Sequence, residues 1–210
     1  MKKILALVAA FVLSTGGAHA ALATYSDNYG PSLTDWDPAK TLSLQKFNPS
    51  LGTLNSVSFE FFGEMQAAFD AENTARSEQR VSNQLTGSMR FTLPTLAFYD
   101  LTLAASETVE ILGFGTYANT LTDSKTLGDT LTSNLAAFTG TGSFDLGVAA
   151  FAVGSLSGAG NVIGGAETFA AANVKVTYDY TESRQAVPEP GSLALVGLAM
   201  AAVALSRRRP

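Results

Sequence analysis

The chain has 210 residues, 46% of them apolar and 15% charged, with no cysteine. That apolar fraction excludes a disordered polyelectrolyte, and the lack of cysteine excludes a disulfide-stapled fold. One domain fits the length, two at most. Thirteen Lys and Arg stand against 18 Asp and Glu, giving a net charge of −5.

The N-terminus has the three parts of a secretory signal peptide. Lys2 and Lys3 form the basic start, Ile4 to Leu13 is an unbroken apolar run, and Ala18-His19-Ala20 is the small-x-small pattern of a signal-peptidase site. Ten apolar residues make a helix of only about 15 Å, half the thickness of a hydrocarbon core, so a signal helix fits better than an anchor. Cleavage after Ala20, by way of Ala18 and Ala20, is expected, with signal peptidase as a partner. The only histidine, His19, leaves with the signal.

Residues 21–186 form the body. It keeps eight of the 13 Lys and Arg and 17 of the 18 Asp and Glu, a net charge of −9. Thr- and Ser-rich, Gly-punctuated sequence with aromatic residues favours strands. Period-two alternation predicts strands over Asn55 to Phe62, Gln66 to Glu72, Ser143 to Val153 and Asn173 to Thr181. Shorter predicted strands are Thr41 to Phe47, Met89 to Leu93, Phe98 to Ala104 and Val109 to Phe114. Glu64 to Arg80 also admits a helical reading, as does Thr126 to Phe138 through Leu127, Leu131 and Leu135. Turn chemistry sits at Asn48-Pro49, Leu51-Gly52, Gly140-Thr141-Gly142, and Gly154 through Gly165, the last read as a Gly-rich loop or hairpin. Many strands without a βαβ rhythm predict an all-β, antiparallel, jelly-roll-like β-sandwich. It would be flanked by an N-terminal signal helix and a C-terminal transmembrane-type helix.

Residues 187–210 form the tail. Val187-Pro188-Glu189-Pro190 leads into Gly191 to Leu205, which carries no charge, and then Arg207, Arg208 and Arg209. Pro190 suits the start of a helix and cannot continue one from upstream. The arginines stay cytoplasmic by the positive-inside rule, which places the body outside. Fifteen apolar residues rich in Ala and Gly fall short of the roughly 20 of a comfortable span, so transient inner-membrane retention fits better than a permanent anchor. These parts, in this order, resemble a PEP-CTERM sorting signal. The resemblance implies that exosortase, a membrane-embedded thiol protease-transpeptidase of Gram-negative bacteria, is a partner. Pro188, Glu189 and Pro190 would then be its contacts and Arg207 to Arg209 the stop signal. The body would be passed to the cell surface or the extracellular matrix.

Within the body, Phe47-Asn48-Pro49-Ser50-Leu51-Gly52-Thr53-Leu54-Asn55-Ser56-Val57 is similar to the opening of the choice-of-anchor E domain. Leu135-Ala136-Ala137-Phe138-Thr139-Gly140-Thr141-Gly142 and Val174-Lys175-Val176-Thr177-Tyr178-Asp179-Tyr180-Thr181 resemble its middle and end. This resemblance brackets roughly residues 41 to 182. It implies surface display and names no ligand.

A body with neither Cys nor His cannot build a Ser-His-Asp triad, a Cys-His dyad or a zinc finger. Ser43-Leu44-Gln45-Lys46 matches S-x-x-K, but in a strand that odd offset points Ser43 and Lys46 to opposite faces. Glu60 with Glu64, or Asp35 with Asp37, are candidate carboxylate pairs for a glycosidase; acids alternating with apolar residues are also the ordinary wet face of a strand. Asp27, Asn28, Asp35 and Asp37, read as one early loop around Pro31 and Trp36, offer hard oxygens to calcium, though in no EF-hand spacing. Asp27, Asp35 and Asp37 are therefore weak calcium candidates. Trp36 is either a buried edge aromatic or a sugar-stacking ring. Arg76, Arg80 and Arg90 are the only local concentration of base in an acidic body, so no nucleic-acid surface is expected. The expectation is a secreted, noncatalytic surface or matrix protein without a cofactor, associated with exopolysaccharide. A carbohydrate-active enzyme using Asp/Glu is the alternative.

Overall fold

The computed structural model describes residues 20–183. The signal helix and the transmembrane-type helix fall outside these residues, except for Ala20. Among the described residues no helix is long and apolar enough to cross a membrane.

Eight antiparallel strands make two sheets: β1 (Ala20–Leu33), β2 (Lys40–Gln45), β3 (Gly52–Asn73), β4 (Gln79–Thr92), β5 (Phe98–Ile111), β6 (Thr116–Leu131), β7 (Ser143–Gly158) and β8 (Val162–Glu182). One sheet has the order β1-β8-β3-β6 and the other β2-β7-β4-β5. The ladders β1–β8, β2–β7, β3–β6 and β4–β5 are nested pairs, as in a long hairpin rolled up so that successive pairs fall alternately in the two sheets. This wrapping gives the jelly-roll order that the strand-rich sequence predicts.

Alternation explains the layers. Along β3, Val57, Phe59, Phe61, Gly63, Met65, Ala67 and Phe69 are buried while the alternate residues face outward. Met89 and Phe91 of β4 and Leu146 and Val148 of β7 meet them from the other sheet. With no disulfide, this apolar layer and the ladders hold the body together. Aromatic contacts close one end: Phe138 meets Phe59 and Phe144 edge-on, at 5.3 and 5.2 Å between centroids. The buried Tyr178 hydroxyl donates to the Gln45 carbonyl at 2.7 Å, tying β8 to β2 across the sandwich.

Several predicted elements merge or change. Asn55 to Phe62 and Gln66 to Glu72 are one 22-residue strand, β3. Glu64 to Arg80 is not helical: β3 runs to Asn73 and β4 resumes at Gln79. Glu64, Asp70, Glu72 and Arg80 take outward strand positions, and Arg76 and Glu78 lie in the turn between the strands, where water solvates them. Of Thr126 to Phe138, the first half completes β6 and only Leu135–Phe138 is helical, a single 3-10 turn. Phe98 to Ala104 and the start of Val109 to Phe114 are both β5, which ends at Ile111. The Gly-rich stretch from Gly154 to Gly165 is mostly strand, with β7 and β8 joined by a short turn closed by Val162 N–H on the Ala159 carbonyl.

Candidate functional site

The stretch read as one early loop is instead largely a strand, which splits the calcium candidates between two elements. Asp27 and Asn28 belong to β1, and only Asp35 and Asp37 lie in the crossing to β2. Asp27 accepts the backbone N–H of Ser43 at 2.8 Å and that of Asn28 at 2.9 Å. Its oxygens thus join the edge of one sheet to the edge of the other. No cluster of three or more acidic side chains able to hold a metal occurs among the described residues.

Trp36 is the rivet of the crossing. It is 2% exposed, its indole N–H donates to the Leu33 carbonyl at 2.9 Å, and its ring meets Tyr29 edge-on at 4.9 Å. Its backbone N–H donates to the Ala150 carbonyl of β7 at 2.9 Å. A ring so placed packs and does not stack on an external sugar. It does fix its neighbours: Asp35, in the left-handed region at φ 67°, and Asp37 stand exposed on either side.

Those two carboxylates form one wall of an open groove of about 800 Å³. Its floor is the outer face of the β2-β7-β4-β5 sheet, with Ser88 and Arg90 from β4, Asp100 and Thr102 from β5, and Ala149 and Phe151 from β7. Alternation requires this: Met89, Leu101 and Ala150 turn into the core, so their neighbours turn out. Arg90 and Asp100 are register partners and form a two-bonded fork, Nε to Oδ1 at 2.7 Å and Nη2 to Oδ2 at 2.8 Å. The guanidinium also lies 4.4 Å from the centre of the exposed Phe98 ring. Hydrogen bonds from Arg90 hold the Asp100 carboxyl below its ordinary range.

The remaining candidates do not converge on this groove. Glu60 and Glu64 stand on the outer face of the other sheet, four residues apart on one strand, roughly 13 Å at the strand rise. Each of the two carboxylates already has another partner. Glu60 pairs with Lys175 at 2.9 Å and Glu64 accepts from Gln66 at 2.7 Å. Ser43 lies in β2 and Lys46 just beyond it, as the strand reading expects. Arg80 sits opposite Glu110 in the β4–β5 ladder, and Arg76 lies in the turn before β4, away from Arg90. Sequence reading missed Asp100, Phe98 and Phe151. Arg90 was visible only as a base, because its partner is set by register.

Ala20 opens β1 and pairs with Thr181 near the end of β8. Ala18, Pro188, Glu189, Pro190 and Arg207 to Arg209 lie outside the described residues.

Together these features define an antiparallel two-sheet protein with an open groove on one face. Residues 186–209 match the PEP-CTERM protein-sorting motif. That motif is the recognition signal of exosortase and indicates an exported protein processed at the cell envelope. No curated protein matches the chain. Among solved structures, the zebrafish complement 1qA globular domain is 12% identical, with 72% of this chain and 94% of that one covered and a TM-score of 0.27. A chain of the T13 infectious bursal disease virus particle is 12% identical, with a TM-score of 0.24; 86% of this chain is covered, and it spans 46% of the viral chain. Likenesses at this level bear no functional argument.

Proposed function

We propose that the body, residues 21–186, is a noncatalytic surface or extracellular-matrix module of a Gram-negative bacterium. In this reading it is a choice-of-anchor E-like domain that contributes structure or adhesion and associates with exopolysaccharide. Signal peptidase removes residues 1–20, the tail dwells briefly in the inner membrane, and exosortase cuts near Pro188-Glu189-Pro190. The observation that carries the reading is the sorting motif at residues 186–209. The body supports it: the carboxylates Glu60 and Glu64, the candidate catalytic pair, lie on the outer face of a sheet and are each engaged by a neighbour, Glu60 by Lys175 and Glu64 by Gln66. A β-sandwich stabilised by its own core also tolerates release from its anchor.

Fractionation of the producing cell tests this. The full chain is expected in the extracellular polysaccharide fraction, and a chain truncated before Val187 in the periplasm or the medium, free of polysaccharide. Release of reducing sugar from glycans by the purified protein would favour the carbohydrate-active alternative instead.

A further inference from the structure

We infer that the groove on the outer face of the β2-β7-β4-β5 sheet binds a segment of an uncharged polysaccharide, with Phe151 as the stacking ring and Arg90 as the hydroxyl-binding group. The inference rests on the reading of the protein as a matrix module and adds to it a site and a ligand chemistry.

Register shows how the site is built. Three rows cross β7, β4 and β5 on the outer face: Gly147–Thr92–Phe98, Ala149–Arg90–Asp100 and Phe151–Ser88–Thr102. The two aromatic rings occupy opposite corners, with Arg90 at the centre. At about 4.8 Å between strands and 3.4 Å per residue, the corners are roughly 17 Å apart, enough for an oligosaccharide rather than a single sugar. The other positions hold Gly, Ala, Ser and Thr, with Asp100 occupied by its partner. The floor is therefore flat and lined with hydroxyls.

Arg90 is held before any ligand arrives. The Asp100 fork fixes the plane of the guanidinium and Phe98 supports one side of it. Its remaining N–H donors are aimed at little entropic cost, and a planar, preorganised donor set suits the hydroxyls of a sugar. Phe151 is 56% exposed, and Val153 beside it on the strand is 45% exposed. The C–H face of a pyranose would remove that apolar surface from water.

Charge selects the class of polymer. Asp35, Asp37 and Asp100 against Arg90 leave the groove at −2, within a body of net charge −9. A uronate or sulfated chain is repelled by that field. A basic peptide finds free carboxylates only at the Asp35 and Asp37 wall, because on the floor Asp100 is already engaged by Arg90. A neutral, hydroxyl-rich chain meets neither obstacle.

Affinity gel electrophoresis of the secreted protein tests the inference, with neutral glucans and mannans in the gel and polygalacturonate and oligolysine as charged controls. At least one neutral polysaccharide should retard the wild-type protein. Phe151→Ala and Arg90→Ala should each weaken retardation roughly tenfold, with the unfolding midpoint of Phe151→Ala unchanged. Arg90→Lys should not restore binding, because an ammonium lacks the fork. The inference fails if no neutral polysaccharide retards the protein, if only a charged control interacts, or if Phe151→Ala binds as tightly as wild type. Matrix fractionation separates this from the parent reading: Phe151→Ala remaining in the polysaccharide fraction overturns the groove alone, whereas wild type missing from that fraction overturns the matrix role.

Discussion

Met65 of β3 lies over Gly87 of β4, and Met89 of β4 lies over Gly63 of β3, so each sheet inserts a methionine where the other has no side chain. A Cβ on Gly87 would stand 2.3 Å from the Met65 sulfur and 2.8 Å from the Phe151 carbonyl oxygen. A Cβ on Gly63 would first meet the flexible ends of Met89 and Leu101, the nearest at 2.9 Å. Methionine is the side chain best able to fill such gaps and to give way.

Gly87→Ala should therefore be the costlier change, because backbone cannot move aside as a side chain can. About 2 kcal/mol is expected for Gly87→Ala and roughly half of that for Gly63→Ala. Urea denaturation of the two variants checks the order, and equal losses would contradict the packing described.

Asn73, fully buried at the end of β3, holds two turns together. Its amide donates to the carbonyls of Ser77 at 2.8 Å and Ile111 and Leu112 at 3.0 Å, while its oxygen accepts the Ala75 N–H at 2.9 Å. Asn73→Ala should cost about 3 kcal/mol, since it strands buried backbone groups without partners. Asn73→Asp should be no better, because it sets an acceptor against carbonyl oxygens. Unfolding midpoints of both variants measure this.

Tyrosines should set the alkaline limit of stability. Burial, then the hydrogen bond to Asp129 and its charge, push Tyr99 up to about 12. Burial also raises Tyr117 and Tyr178 above the ordinary value of 10. The folded state thus keeps protons that the unfolded state releases. The contribution is fully present below pH 10 and is lost as pH rises toward 12. Denaturation midpoints should fall across that window, and Tyr99→Phe should flatten the fall. A flat wild-type profile from pH 10 to 12 would contradict the assignment.

Asp27 should matter to folding and not to calcium. Asp27→Ala removes the link to Ser43 and should cost about 1 kcal/mol. Millimolar calcium or a chelator should leave the wild-type melting temperature unchanged. A rise of several degrees with calcium would show that the carboxylates regroup around a metal.

Alternation made the buried strands legible. Val57, Phe59 and Phe61 in β3 and Val174, Val176 and Tyr178 in β8 announce both the strand and its inner face, because these central strands bury one side completely. The edge strands β1 and β6 were not legible. Their inward positions include Asp27, Asn119, Asp123, Lys125 and Asp129, which seal the sides of the sandwich and weaken the apolar rhythm. Asp123, for example, accepts the Ala104 N–H of β5 at 2.9 Å, and Lys125 donates to the Thr102 carbonyl. Polar capping protects sheet edges from pairing with other chains, and it hides them from a hydrophobic pattern. The groove was hidden for another reason. Arg90, Asp100 and Phe151 are distant in sequence, and only the β5-β4-β7 register brings them into adjoining rows.

Mass spectrometry of the protein recovered outside the producing cell tests the central claim most directly, namely that both ends are sorting signals around a β-sandwich that is delivered outside. A chain beginning at Ala21 and ending close to Pro188 is the expected result. A chain retained inside the cell, running intact from Met1 through Arg209, would contradict it.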